Sequence, residues 1–132
     1  MMKNVEKKRV LLVDDEAGVR IAVAMLLQAL GADVVQAGDG HRALELVREK
    51  PFDAVLTDFH MPGMKGDALA EAIRSIQPDQ HIILITGYVE QALQRPLVPL
   101  HVNEVLAKPC SMKRLAQALR IDRKLLPEHC SI

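Results

Sequence analysis

The sequence predicts an α/β fold: a (βα)5 chain wound around both faces of an open parallel sheet. Three observations predict it. Five short apolar runs recur along the chain, at residues 10–13, 34–37, 54–57, 81–85 and 104–107. Several are nearly unbroken, as in Val10-Leu11-Leu12-Val13 and Ile82-Ile83-Leu84-Ile85, which is the pattern of strands covered by helices on both sides. The segments between the runs carry helical periodicity, and right-handed crossovers between such strands leave them parallel.

The first run is followed by Val19, Ala22, Val23, Leu26, Leu27 and Leu30, a stripe at helical spacing that is expected to be buried. Gly31 stops that helix, and Ala37-Gly38-Asp39-Gly40 opens the second, whose inward residues are Ala43, Leu44 and Val47. After the third run, Met61-Pro62-Gly63-Met64-Lys65-Gly66 breaks the chain. Asp67 is the expected cap of the third helix, which turns Leu69, Ala72, Ile73 and Ile76 inward. A fourth helix begins near Tyr88 and should be short, because Pro96 and Pro99 remove backbone donors and disfavour helix in the residues before them. An irregular approach to the last strand is therefore expected. The final helix runs from about residue 111 to 120, with Leu115, Ala118 and Leu119 inward. Residues 9–120 then form one domain, with 1–8 as an N-terminal extension and 121–132 as a tail too short for a second domain.

A chain of 132 residues buries most of a core without disulfides or structural metal. Its 17 basic and 17 acidic residues cancel, which argues against a polyanion-steering surface and hence against direct nucleic-acid binding. Phe52, Phe59 and Tyr88 are the only aromatics, too few for a base-stacking platform. Cys110 and Cys130 form no metal spacing and read as reduced thiols. No apolar run approaches the roughly 20 residues of a membrane span, and the charged start carries no signal-peptide pattern. A cytoplasmic protein without membrane contact is expected.

In an open α/β sheet, ligands bind beyond the carboxyl ends of the strands. Here those ends read Asp14-Asp15-Glu16, Thr57-Asp58, Thr86-Gly87 and Lys108-Pro109. Each has an ordinary explanation alone; Asp14 or Asp15, for example, could cap the helix at Ala17. Gathered at one edge they form a set of acids, a hydroxyl and an ammonium, and like charges cluster at a cost unless a cation joins them. Mg²⁺ takes one or two carboxylates together with water and phosphate oxygens. Asp15 and Asp58 could supply the carboxylates, with Asp14 holding a coordinated water. A carboxylate such as Asp58 can attack phosphorus, while Lys108 and Thr86 neutralise charge on the transferred group.

The motifs Val-Asp-Asp-Glu (13–16), Thr-Asp-Phe-His-Met-Pro-Gly-Met-Lys-Gly (57–66), Ile-Thr-Gly-Tyr (85–88) and Ala-Lys-Pro (107–109) together resemble the receiver domain of two-component response regulators of the chemotaxis-regulator type. The resemblance implies a flavodoxin-like receiver fold with strand order 2-1-3-4-5. It implies that Asp58 is the phosphoacceptor, that Asp14 and Asp15 form the acidic pocket, and that His60 lends its backbone carbonyl to Mg²⁺. Thr86 and Lys108 would contact the phosphoryl group, and the Lys108–Pro109 bond would be cis. The implied partners are a sensor histidine kinase or histidine phosphotransfer protein as donor and a downstream protein as target; a homodimer is left open.

Receivers commonly carry an aromatic three residues before the strand-end lysine, where this chain has Val105. A ring flip there is excluded, and the readout is expected to pass through Thr86 and residues 87–100. His60 is read as facing solvent, with an influence on hydrolysis of the acyl phosphate as the sharper alternative. Two other classes compete with the switch. One is an aspartyl-phosphate phosphatase, disfavoured by the lack of a cap domain. The other is a phosphorylation-independent interaction module, disfavoured by the intact acidic and basic set but favoured by Val105 and the prolines.

Overall fold

The computed structural model describes residues 7–121. Five strands alternate with helices: β1 (Arg9–Val13), α1 (Ala17–Ala29), β2 (Asp33–Ala37), α2 (Gly40–Glu49), β3 (Ala54–Asp58), α3 (Gly66–Ile76), β4 (Ile82–Thr86), α4 (Val89–Leu93), α5 (Leu97–His101), β5 (Glu104–Ala107) and α6 (Met112–Leu119). All strand pairs are parallel and the order is β2-β1-β3-β4-β5, as expected. The order reverses at β1, so a crevice opens between the carboxyl ends of β1 and β3. The proposed extension and tail lie largely outside the described residues, as does Cys130.

Alternation along the strands divides the core. Val10, Leu12, Leu56, Ile83, Ile85 and Leu106 face α1 and α6, whereas Leu11, Val13, Val55 and Ile82 face α2 and α3. Each such side chain removed from water contributes about 1.5–3 kcal/mol, which explains why the runs are apolar on both faces. Asp39 and Ser111 cap α2 and α6 by accepting from the Arg42 and Arg114 amides at 2.8 and 3.1 Å. Among the described residues no helix is long and apolar enough to cross a membrane.

Three local expectations are corrected. The approach to β5 is not irregular: α5 forms with Pro96 at its N-cap and Pro99 inside its first turn. Amides there have no intrahelical acceptor, so proline costs no hydrogen bond. Asp67 does not cap α3, since Lys65 holds that position and Asp67 sits in the first turn. On α1, Val19 is 41% exposed and Ala22 is exposed, so the buried part of the stripe narrows to Leu27 and Leu30, with Val23 and Leu26 partly covered, and Ala24, outside the stripe, is buried instead.

Two polar side chains, the buried Gln80 and the half-buried Arg74, fix the end of the sheet opposite the crevice. Gln80 donates to the Phe52 carbonyl at 2.8 Å and accepts from the Phe52 amide at 3.0 Å. Arg74 donates to the carbonyls of Pro78, Gln80 and His101 and to Asn103 Oδ1, joining α3 to the turn before β5.

Candidate functional site

Val13 pairs with Thr57 and Asp58 with Ile85, so Asp14 and Asp58 emerge side by side at the end of neighbouring strands. Carboxylate oxygens of Asp14, Asp15 and Asp58 lie within 4.8 Å of one another. Asp14 is buried, Asp58 half-buried and Asp15 exposed, a gradient from the sheet to solvent. The ordinary alternative, a helix cap from Asp14 or Asp15, is not seen: Glu16 is the N-cap of α1 and makes no side-chain cap bond. Asp14 Oδ1 accepts instead from the Glu16 amide at 2.9 Å, and Arg20 grips the Asp14 carbonyl at 2.8 Å. Arg20 gave no signal in the sequence, because one partner is a backbone atom and the other, Gln36 Oε1 at 3.2 Å, lies on β2.

Lys108 reaches in from the end of β5, with Nζ 3.5 Å from Asp58 Oδ1. Its own amide donates to the Thr86 carbonyl at 2.9 Å, and the Lys108–Pro109 bond is cis. Asp58 Oδ1 also accepts from the Phe59 amide at 3.0 Å. Burial pushes the Asp58 carboxyl above the usual range; Lys108 pulls it down, and the Asp14 charge pushes it up again. An anion held at this disadvantage gains from any cation placed among the three carboxylates. The apolar floor of the cleft is Leu12, Val13, Leu56 and Ile85, with Val19 and Val23 from α1.

Thr86 is buried one residue beyond Ile85, and its hydroxyl accepts from the Tyr88 amide at 3.0 Å. It therefore stands at the rim, engaged with the start of α4. His60 is exposed, but its ring meets those of Phe59 and Tyr88 edge-on, at 4.8 and 5.3 Å between centroids. Met61 is buried in the core, and Met64 packs beside it against Gly40. Val105 packs against the small cluster of Phe59, Leu84, Ala92 and Val98. Gly66 is a further site residue: a Cβ there would lie 2.6 Å from the Asp58 carbonyl oxygen. Its place in the Pro-Gly-Met-Lys-Gly string was visible in the sequence, but its reason was not.

The model of the response regulator receiver domain matches residues 10–120. The chain belongs to that family. Receiver domains are the phosphoacceptor modules of two-component signalling; their partners are sensor histidine kinases, and they bind Mg²⁺ at an acidic site. The chain is 34% identical over 116 residues to the sensor histidine kinase GacS of Pseudomonas protegens, covering 84% of itself but 13% of that protein. It is 34% identical over 112 residues to the response regulator receiver protein CpdR of Brucella abortus, covering 85% of itself and 93% of that protein. Among solved structures, it resembles the receiver domain of a sensor histidine kinase from Pseudomonas aeruginosa, with TM-score 0.80 and 26% identity. That match covers 87% of this chain and 96% of the other, which holds a magnesium ion in its active-site cleft.

Proposed function

We propose that Asp58 of this receiver accepts a phosphoryl group from a phosphohistidine donor, and that a partner protein reads the change. The observation that carries the reading is the convergence of Asp14, Asp15, Asp58 and Lys108 at one sheet edge. Asp58 Oδ1 is held by Lys108 and the Phe59 amide, which leaves Oδ2 free to attack phosphorus. The Oδ2–P bond forms as the N–P bond of phosphohistidine breaks, and the electron pair returns to the imidazole. Lys108 balances charge on the arriving phosphoryl oxygens, and Thr86 donates its hydroxyl to one of them.

The donor set, three carboxylates with all-oxygen chemistry, fits a hard cation. Asp15, Asp58 and the His60 carbonyl would hold Mg²⁺, with Asp14 acting through a water. The ion would supply Lewis-acid stabilisation of the phosphoryl oxygens. Residues 9–120 constitute the module, and the cytoplasm is where a phosphohistidine donor would meet it. With Val105 in place of a ring, readout passes from Thr86 to α4 and α5. Borohydride reduction of the phosphorylated chain, followed by peptide mapping, tests the assignment. The expected product is homoserine at position 58; a reduced residue elsewhere would refute it.

A further inference from the structure

The α4–α5 segment is lightly fastened. Ala92 and Val98 are its buried side chains, resting on Phe59 and Leu84. Its polar contacts besides these are few; at the far end of α5, Arg74 donates to the His101 carbonyl at 2.7 Å and the His101 ring lies 3.9 Å from Glu71. At its start, the Thr86 hydroxyl accepts from the Tyr88 amide at 3.0 Å. At the junction of the two helices, Arg95 Nε donates to Asp67 Oδ2 at 2.8 Å. Asp67 is 1% exposed, in the first turn of α3, and its other oxygen accepts from the Ala68 amide at 2.9 Å. A buried carboxylate is tolerated only when paired, so Arg95 is held where Asp67 is. Its guanidinium also lies 5.9 Å from the ring of Phe59, the residue after Asp58.

We propose that the Asp67–Arg95 ion pair is the fixed pivot of the α4–α5 segment, so that phosphorylation moves the Thr86 end of the segment and leaves the Arg95 end in place. The inference rests on the Asp58 reading above. A phosphoryl oxygen on Asp58 accepts a hydrogen bond from the Thr86 hydroxyl and pulls that side chain toward β3, so the Tyr88 amide, which donates to the same hydroxyl oxygen, must follow it or let go. Nothing at Asp58 competes for Asp67, whose charge-assisted bond is anchored on a buried carboxylate and backed by the N-terminus of α3. A segment released at one end and pinned at the other rotates instead of unfolding. Such a lever supplies a readout that needs no ring at Val105.

Amide exchange of the whole chain, with and without a small acyl phosphate and Mg²⁺, tests the pivot, with intact mass recording the adduct. In the wild type, phosphorylation should speed exchange across residues 88–92 and leave 94–98 unchanged. In Asp67→Asn, which is isosteric, residues 94–98 should exchange about tenfold faster before any phosphorylation, while the adduct still forms. Should that variant not fold, Arg95→Lys, which loses the Nε contact but keeps the charge, is read in the same way. The pivot is overturned if 94–98 exchange at the wild-type rate in the variant, or respond to phosphorylation as strongly as 88–92. Failure of the wild type to form an adduct would overturn the phosphoacceptor reading itself, and the pivot with it.

Discussion

Gly66→Ala tests how tightly the backbone behind the phosphoacceptor is built. The added Cβ would stand 2.6 Å from the Asp58 carbonyl oxygen, 2.6 Å from Leu84 Cδ1 and 3.0 Å from Phe59 Cα. Comfortable contacts are about 3.5 Å, so these neighbours must retreat by roughly 0.5–1 Å. Leu84 is fully buried and the Asp58 oxygen is main chain, so neither yields by simple rotation. Overpacking of this kind costs about 1–3 kcal/mol, offset by up to ~1 kcal/mol for alanine over glycine in a helix. The net loss of about 1–2 kcal/mol corresponds to a fall in Tm of roughly 4–10 °C for a domain of this size. A shift of the Asp58 backbone should also slow acyl-phosphate labelling by about tenfold or more. Thermal unfolding and timed intact-mass labelling measure the two effects. A variant with wild-type Tm and wild-type labelling would refute the reasoning.

Three further outcomes are expected. Burial raises the Asp58 carboxyl above its unfolded value, so ionisation costs the folded state stability that is present at acid pH and lost as pH rises through the folded value. Asp58→Asn should therefore have a higher Tm than the wild type at neutral pH without divalent ions, with the gap closing toward about pH 4; a gap independent of pH contradicts this. Lys108→Ala removes an ammonium 3.5 Å from Asp58 Oδ1, so calorimetry should show Mg²⁺ binding about two- to tenfold tighter while phosphoryl uptake falls; unchanged Mg²⁺ affinity contradicts the geometry. Gln80→Ala strands the buried Phe52 amide and carbonyl, at a cost of about 2–4 kcal/mol in chemical denaturation. The folded fraction should still label at the wild-type rate, because Gln80 lies at the far end of the sheet.

What the sequence made legible was what has a local cause. Continuous apolar runs marked the strands because both faces of a parallel sheet are covered, and strand-end acids marked the crevice because topology sends every carboxyl end to one edge. The α5 helix was missed because Pro96 and Pro99 were read as breakers; at the N-cap and first turn a missing amide costs nothing. Val19 and Ala22 have the spacing of a core stripe, but the sheet covers a narrower face of α1 than that stripe spans. The Asp67–Arg95 pair joins residues 28 apart, and the Gln80–Phe52 clasp does the same. Pairings of that kind have no sequence period, so only the fold displays them. The core of the site needed no such contacts: Asp14, Asp15, Asp58 and Lys108 are each fixed by their place at a strand end.

The most direct test of Asp58 as phosphoacceptor is the intact mass of the chain after incubation with a small acyl phosphate and Mg²⁺. The wild type should gain one phosphoryl group, and the gain should vanish in Asp58→Asn and when the metal is chelated. An undiminished adduct on Asp58→Asn, or no adduct on the wild type with any acyl-phosphate or phosphohistidine donor, would contradict the account.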